Sequence, residues 1–113
     1  MDLRDLRDYL YGLWIKQEMK KLHARGTKVI MITGSYGKTS VKELTYDLLR
    51  RKYKTVVTGR NYNTAVGIAK TLRHEVMDNT EVLILEVGAY HVGEISRFAG
   101  WITPDVGVIT GIA

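Results

Sequence analysis

Gly34-Ser35-Tyr36-Gly37-Lys38-Thr39-Ser40 follows directly on the apolar run KVIMIT at residues 28–33. Two glycines that accept positive backbone angles, a lysine and adjacent hydroxyls are the residue types that wrap an anion. The amides turn inward, the ammonium offsets charge and a hydroxyl can hold a hard cation. A buried strand that breaks into such a loop and then into a helix sets the loop at the helix N-terminus, where unpaired N–H groups and the helix dipole favour phosphate. The chemistry implied is nucleoside triphosphate binding, with Lys38 on the β- and γ-phosphates and Thr39 on Mg²⁺.

Other residues suit the same chemistry. Glu86 ends the apolar run VLIL, where a carboxylate fits a hard cation bridging phosphates; a solvated strand-end residue is the alternative. Asn61 and Asn63 are polar without charge and suit orientation of a substrate or a phosphate oxygen, with plain turn chemistry as the alternative. Tyr90 and His91 follow Glu86 closely and either touch a ligand or are satisfied by local contacts.

These residues need elements to position them. Leu3, Leu6, Leu10 and Leu13 recur at three- and four-residue steps, which predicts an amphipathic helix over residues 2–23 that ends at Arg25-Gly26. Trp14 and Ile15 widen the stripe, so the helix is expected to pack on a neighbouring surface; a membrane-surface or partner helix is the other reading. Four runs rich in β-branched residues follow, at Val29–Thr33, Thr55–Thr58, Val82–Val87 and Val106–Ile112. Val41, Leu44, Leu48 and Leu49 mark one intervening helix, and Ala65, Ile68, Ala69, Leu72 and Val76 mark another. Alternating strand and helix implies right-handed crossovers and an α/β fold, a parallel sheet covered on both faces. All strand carboxyl ends then lie on one edge, so Gly34–Ser40, Thr58–Asn63, Glu86 with Gly88, and Thr110-Gly111 converge there.

Composition sets the bounds. With 113 residues, 45% of them hydrophobic, the chain has room for one domain. Its 17 basic and 12 acidic side chains give a net charge of +5, which suits an anionic ligand or simply a solvated basic face. A nucleic-acid module would place salt-dependent affinity on this charge, but Arg50, Arg51, Lys52 and Lys54 fall at a helix end, where they suit the helix dipole. The absence of cysteine excludes a disulfide framework and a thiolate metal site. No stretch is long and apolar enough for a membrane span, and MDLRDLRDYL lacks the layout of a signal peptide, so a cytoplasmic protein is expected. Val106–Ala113 is apolar with no helix after it, which suggests the amino-terminal part of a longer protein.

The loop departs from the usual P-loop pattern, since the position five before Gly37 is Ile32 instead of glycine. In this shortened form GSYGKTS resembles the loop of the Mur ligase and folylpolyglutamate synthetase superfamily. KTSVKEL continuing the loop, NYNTAVG at 61–67, LEVGAYHVGEI at 85–95 and PDVGVIT at 104–110 add to the likeness. Together they resemble the Mur ligase branch that joins D-alanyl-D-alanine to a UDP-N-acetylmuramoyl tripeptide. The folylpolyglutamate branch has a different glycine-rich segment after its strand glutamate, without GEI.

The resemblance covers roughly residues 28–113 and implies a P-loop-type parallel sheet flanked by helices. On this reading residues 1–26 are a separate N-terminal helix, and 27–113 are the first part of a Mur ligase central domain truncated at its C-terminal end. The implied activity is ATP-dependent amide ligation. A UDP-linked peptide carboxylate is phosphorylated to an acyl phosphate, which the amine of D-alanyl-D-alanine attacks. Gly34, Ser35, Tyr36, Gly37, Lys38, Thr39 and Ser40 would hold ATP, with Lys38 and Glu86 catalytic and Thr39 and Glu86 serving Mg²⁺. Asn61, Asn63 and Thr64 would lie beside the γ-phosphate and the acyl substrate. Thr64 replaces a frequent third asparagine of the family, and Tyr36 is bulkier than the residue usual there. The family's UDP-sugar domain, metal-binding histidine, carbamylated lysine, adenine pocket and C-terminal domain have no counterpart in these residues, so the chain alone is not expected to ligate. A folylpolyglutamate-synthetase-like ligase and a non-catalytic nucleotide-binding module are the alternatives.

Overall fold

Strand β3 (Val82–Glu86) is buried along its whole length, as a central strand of a parallel sheet must be when helices cover both faces. The computed structural model, which describes residues 2–59, 62–88 and 93–111, sets it between β1 (Lys28–Thr33) and β2 (Thr55–Val57). A fourth strand, β4 (Val106–Ile109), lies on the far side of β1, and every pairing is parallel, in the order β2-β3-β1-β4. The helices are α1 (Leu3–Ala24), α2 (Lys38–Leu49), α3 (Ala65–His74) and α4 (Glu94–Ile102).

The two-residue strand period sorts the core into two layers. Val29, Met31, Leu83, Leu85 and Val87 face one way and pack with Ile15, Met19 and Leu22 of α1, Ile68 and Leu72 of α3, and Phe98, Trp101 and Ile102 of α4. Ile32, Val82 and Ile84 face the other way, towards Val41, Tyr46 and Leu49 of α2. Each fully buried aliphatic side chain contributes about 1.5–3 kcal/mol, so the larger layer carries most of the stability.

Helix α1 begins with a capping box, in which Asp5 N donates to Asp2 Oδ1 at 2.9 Å and Asp2 N donates to Asp5 Oδ2 at 3.4 Å. It is the expected helix, but of the expected stripe Ile15 alone is fully buried. Gly12, Ile15, Met19 and Leu22 turn inward, while Leu3, Leu6, Leu10, Leu13 and Trp14 stay exposed. Both rows obey helical spacing, and tertiary fit chose between them: Gly12 lacks the Cβ that would overlap the Trp101 indole, so α1 and α4 close on that side. Helix α2 shows the same kind of reversal. Val41 and Leu49 pack on the sheet with Tyr46, whereas Leu44 and Leu48 are 62% and 58% exposed.

Helix α3 buries Ala65, Ile68, Ala69 and Leu72 as their spacing predicts, and Val76 packs against the same layer just beyond its end. Strand β4 is shorter than the run Val106–Ile112 suggests, and Val106, Gly107 and Ile109 are exposed along it. Ile112 lies outside the described residues. Among the described residues, no helix is long and apolar enough to cross a membrane.

Candidate functional site

The carboxyl ends of β1, β2, β3 and β4 share one edge of the sheet, so the segments that leave them at Gly34, Thr58, Val87 and Thr110 start side by side. Hydrogen bonds tie them together. Thr58 N donates to Ile84 O at 3.0 Å, Val87 N to Ile32 O at 2.8 Å and Thr110 N to Thr33 O at 2.8 Å. Thr33 Oγ1 donates to Val87 O at 3.0 Å. The edge is therefore rigid where the loops leave it.

In the loop, Gly34 has φ 141° and Gly37 has φ 84°, both in the region that favours glycine. A Cβ on Gly34 would collide with the Thr110 hydroxyl, so the segment leaving β4 presses directly on the loop. Thr110 Oγ1 lies 2.6 Å from Tyr36 O and 3.2 Å from Thr33 O, and its single hydrogen serves one carbonyl at a time. Ser35 N and Tyr36 N both donate to Gly111 O, at 2.8 and 3.2 Å. The Tyr36 ring lies against Gly111, which makes it a cover on the loop. Gly37 is the N-cap of α2 and offers no side chain to its first turn, whose N–H groups thus have no side-chain cap. Lys38 Nζ folds back to donate to Gly34 O at 2.7 Å, spanning the loop from within, and Thr39 and Ser40 are exposed.

Glu86 is 7% exposed and ends β3 on the α2 side of the sheet. Its N–H donates to Thr58 Oγ1 at 3.0 Å, and Asn63 Nδ2 donates weakly to its Oε2 at 3.4 Å. Asn63 also accepts from Gly88 N at 2.8 Å, which joins the asparagine segment to the end of β3. Thr64 is the N-cap of α3, its hydroxyl accepting from Gly67 N at 3.2 Å. Asn61, Tyr90 and His91 lie outside the described residues. The structure thus brings Glu86, Asn63 and Thr58 together and sets the phosphate loop at the same edge.

One charged residue of this group was not singled out from sequence. Lys42 is 5% exposed, and its Nζ lies 3.1 Å from Glu86 Oε1. Its position one helical turn after Lys38 puts it on the same helix face, but a lysine there is ordinarily solvated. A pocket of ≈ 150 Å³ beside it is lined by Thr39, Lys42, Glu43, Tyr46, Val57 and Thr58, which connects the loop helix to the end of β2. Two larger depressions lie elsewhere, one between α1 and α3 and one at the amino ends of the strands, and neither includes a loop residue. Position at the carboxyl edge outweighs their size.

The donors at this edge fit Mg²⁺. Glu86 Oε1 is buried without an aligned hydrogen bond, the Lys42 ammonium standing 3.1 Å away, and the Thr39 hydroxyl is another hard oxygen donor. Magnesium suits such a sparse set, since it is commonly held by one or two carboxylates together with waters and substrate phosphates.

A parallel sheet with a glycine-lysine loop leading into α2 defines a nucleotide-binding domain of the P-loop type. The comparisons narrow the class. The Mur ligase middle domain matches residues 32–113, and the chain belongs to the Mur ligase family. It is 37% identical over 98 residues to the UDP-N-acetylmuramoyl-tripeptide--D-alanyl-D-alanine ligase of Bacillus subtilis, a match covering 85% of this chain and 21% of that protein. The corresponding Escherichia coli ligase is 31% identical over 100 residues, with 88% of this chain and 21% of the relative covered. Among solved structures, MurF from Acinetobacter baumannii superposes with a TM-score of 0.81 at 31% identity, over 90% of this chain and 22% of its own. MurF ligase from Thermotoga maritima in complex with ADP gives 0.75 at 33% identity, over 86% and 22%. The chain spans about a fifth of the length of the curated relatives it matches.

Proposed function

We propose that this chain is the phosphate-binding part of an ATP-dependent amide ligase of peptidoglycan precursor synthesis. The whole protein would join D-alanyl-D-alanine to a UDP-N-acetylmuramoyl peptide in the cytoplasm. The observation that carries the reading is the glycine loop with Lys38 at the N-terminus of α2, on the same sheet edge as Glu86 and Asn63. The relatives' names supply the substrates. On this reading the domain boundary lies near residue 26, with α1 ahead of the ligase domain.

The geometry suggests how the residues act. Lys38 exchanges its bond to the neutral Gly34 O for one to an anionic phosphate oxygen, so attraction between opposite charges favours moving the ammonium onto a bound anion. The first-turn amides of α2, without a side-chain cap, complete the anion site. Thr39 and Glu86 would hold Mg²⁺, which when bound supplies positive charge to the transferring phosphoryl group. Asn63, bonded to Glu86 and Gly88, keeps an amide beside the carboxylate and on this reading would orient the acyl substrate.

Titration calorimetry with ADP and ATP in Mg²⁺ tests the reading. The chain should bind both, and Lys38→Ala should weaken binding at least about tenfold while the chain still folds, the lost Lys38–Gly34 bond costing no more than about 1.5–3 kcal/mol. Unchanged affinity in Lys38→Ala removes the phosphate-loop assignment. Ligation is not expected from these residues alone, and phosphate release that requires both substrates would contradict that.

A further inference from the structure

Lys42 has no part in the nucleotide site as assigned so far. It lies one turn beyond Lys38 and Thr39, on the side of α2 that faces the sheet, and is the buried residue of that helix. Burying a lysine is costly unless it is paired, and its partner is Glu86, whose side chain is itself only 9% exposed. The pair is charge-balanced but poorly bonded. Although Lys42 Nζ stands 3.1 Å from Glu86 Oε1, the two are off the hydrogen-bond direction, and Oε1 accepts no hydrogen bond among the described residues. The other oxygen receives only the 3.4 Å contact from Asn63. An ion pair built purely for structure normally satisfies both oxygens with short, aligned bonds. Here the carboxylate is neutralised while its lone pairs are left available.

We propose that Lys42 is a positioning residue that takes the place of the divalent cation at Glu86 when no nucleotide is bound. The inference rests on the reading of Glu86 as a cation ligand. With the site free, the Lys42 ammonium balances the charge of the buried carboxylate and holds it in place. A divalent cation arriving alone meets the Lys42 ammonium already seated 3.1 Å from the buried Glu86 carboxylate. Like-charge repulsion keeps its affinity low. A polyphosphate bound in the loop reverses the balance, engages Lys38 and lets the cation share Glu86. Lys42 thereby makes cation binding conditional on nucleotide, and the site does not load with metal in its absence.

Thermal unfolding of this chain against Mg²⁺ without nucleotide gives the first readout, and the Mg²⁺ dependence of ADP affinity gives the second. Wild type and Lys42→Arg should show no shift with Mg²⁺ alone. Lys42→Met should unfold at a lower temperature without the cation, then recover by roughly 5 °C once Mg²⁺ reaches about ten times its Kd. The gain in Mg²⁺ affinity over wild type is expected to be at least about tenfold. Lys42→Gln, which keeps a polar head, should respond in the same way and serves if the methionine variant does not fold. Adding Glu86→Gln to either should abolish the response. If neither neutral variant responds to Mg²⁺ while Glu86→Gln alone lowers the Mg²⁺ dependence of ADP affinity, the role of Lys42 is refuted and the Glu86 ligand stands. If Glu86→Gln leaves that dependence intact, the cation assignment itself fails and the proposal with it.

Discussion

Gly67→Ala offers a test in which two known effects oppose each other. Gly67 lies in the first turn of α3, and a Cβ built there would come within 2.5, 2.6 and 2.8 Å of the Tyr62 Cα, C and O atoms. Those atoms are backbone, so no rotamer change relieves the contact. Tyr62 N is also bonded to Gly59 O at 3.2 Å and Asn63 O to Gly88 N at 2.8 Å, which restrains the segment from both sides. Reaching ordinary van der Waals separation needs a displacement of ~0.9 Å. Overpacking of this kind costs about 1–3 kcal/mol, whereas alanine in place of a helical glycine gains about 0.5–1 kcal/mol. The net expectation is a loss of roughly 0.5–2 kcal/mol, or about 2–10 °C in Tm. Moving Tyr62 also moves Asn63, so the 3.4 Å contact to Glu86 should open and nucleotide affinity should fall with stability. Gly100→Ala is the control. Gly100 is exposed in α4 with nothing within 4 Å of a new Cβ, so the same substitution should stabilise by about 0.5–1 kcal/mol. Denaturant unfolding of both variants, with ADP titrations alongside, gives the answer. A Gly67→Ala chain as stable as Gly100→Ala would refute the close approach of the Tyr62 backbone.

Further substitutions test the core and the edge. Ile15→Ala should cost about 2–5 kcal/mol by opening a cavity under α1, while Leu10→Ser on the outward row should change stability by no more than about 0.5 kcal/mol; the reverse order in denaturant midpoints would show that α1 presents its leucine face to the sheet. Thr58→Val keeps the shape but removes the acceptor of the buried Glu86 N–H, which should cost about 1–3 kcal/mol and speed exchange of that amide; unchanged protection would mean that the bond does not hold the end of β3.

Much of the site was legible because its chemistry is local. Gly34, Gly37 and Lys38 announce a phosphate loop by type and spacing, and the structure gives both glycines positive φ and sets Lys38 across the loop. Glu86 was legible from its place after a wholly apolar run, which is also why it is buried. Lys42 was not, since a lysine on a helix is ordinarily solvated, and only the distance to Glu86 reveals that this one is interior. Thr64 was read towards substrate, and its hydroxyl proves to be engaged in capping α3.

Strand runs, helix spacing and turn residues by themselves determined an α/β domain with parallel strands whose carboxyl ends share one edge, because these signals are written over a few consecutive residues. The tertiary structure alone decided which apolar row of α1 and of α2 faces inward. Helical periodicity finds rows but cannot rank two of them. The choice follows from complementarity with residues distant in the chain, such as Gly12 against Trp101. The pairing of Lys42 with Glu86 has the same origin: a charge becomes interior only when the fold brings its partner to it.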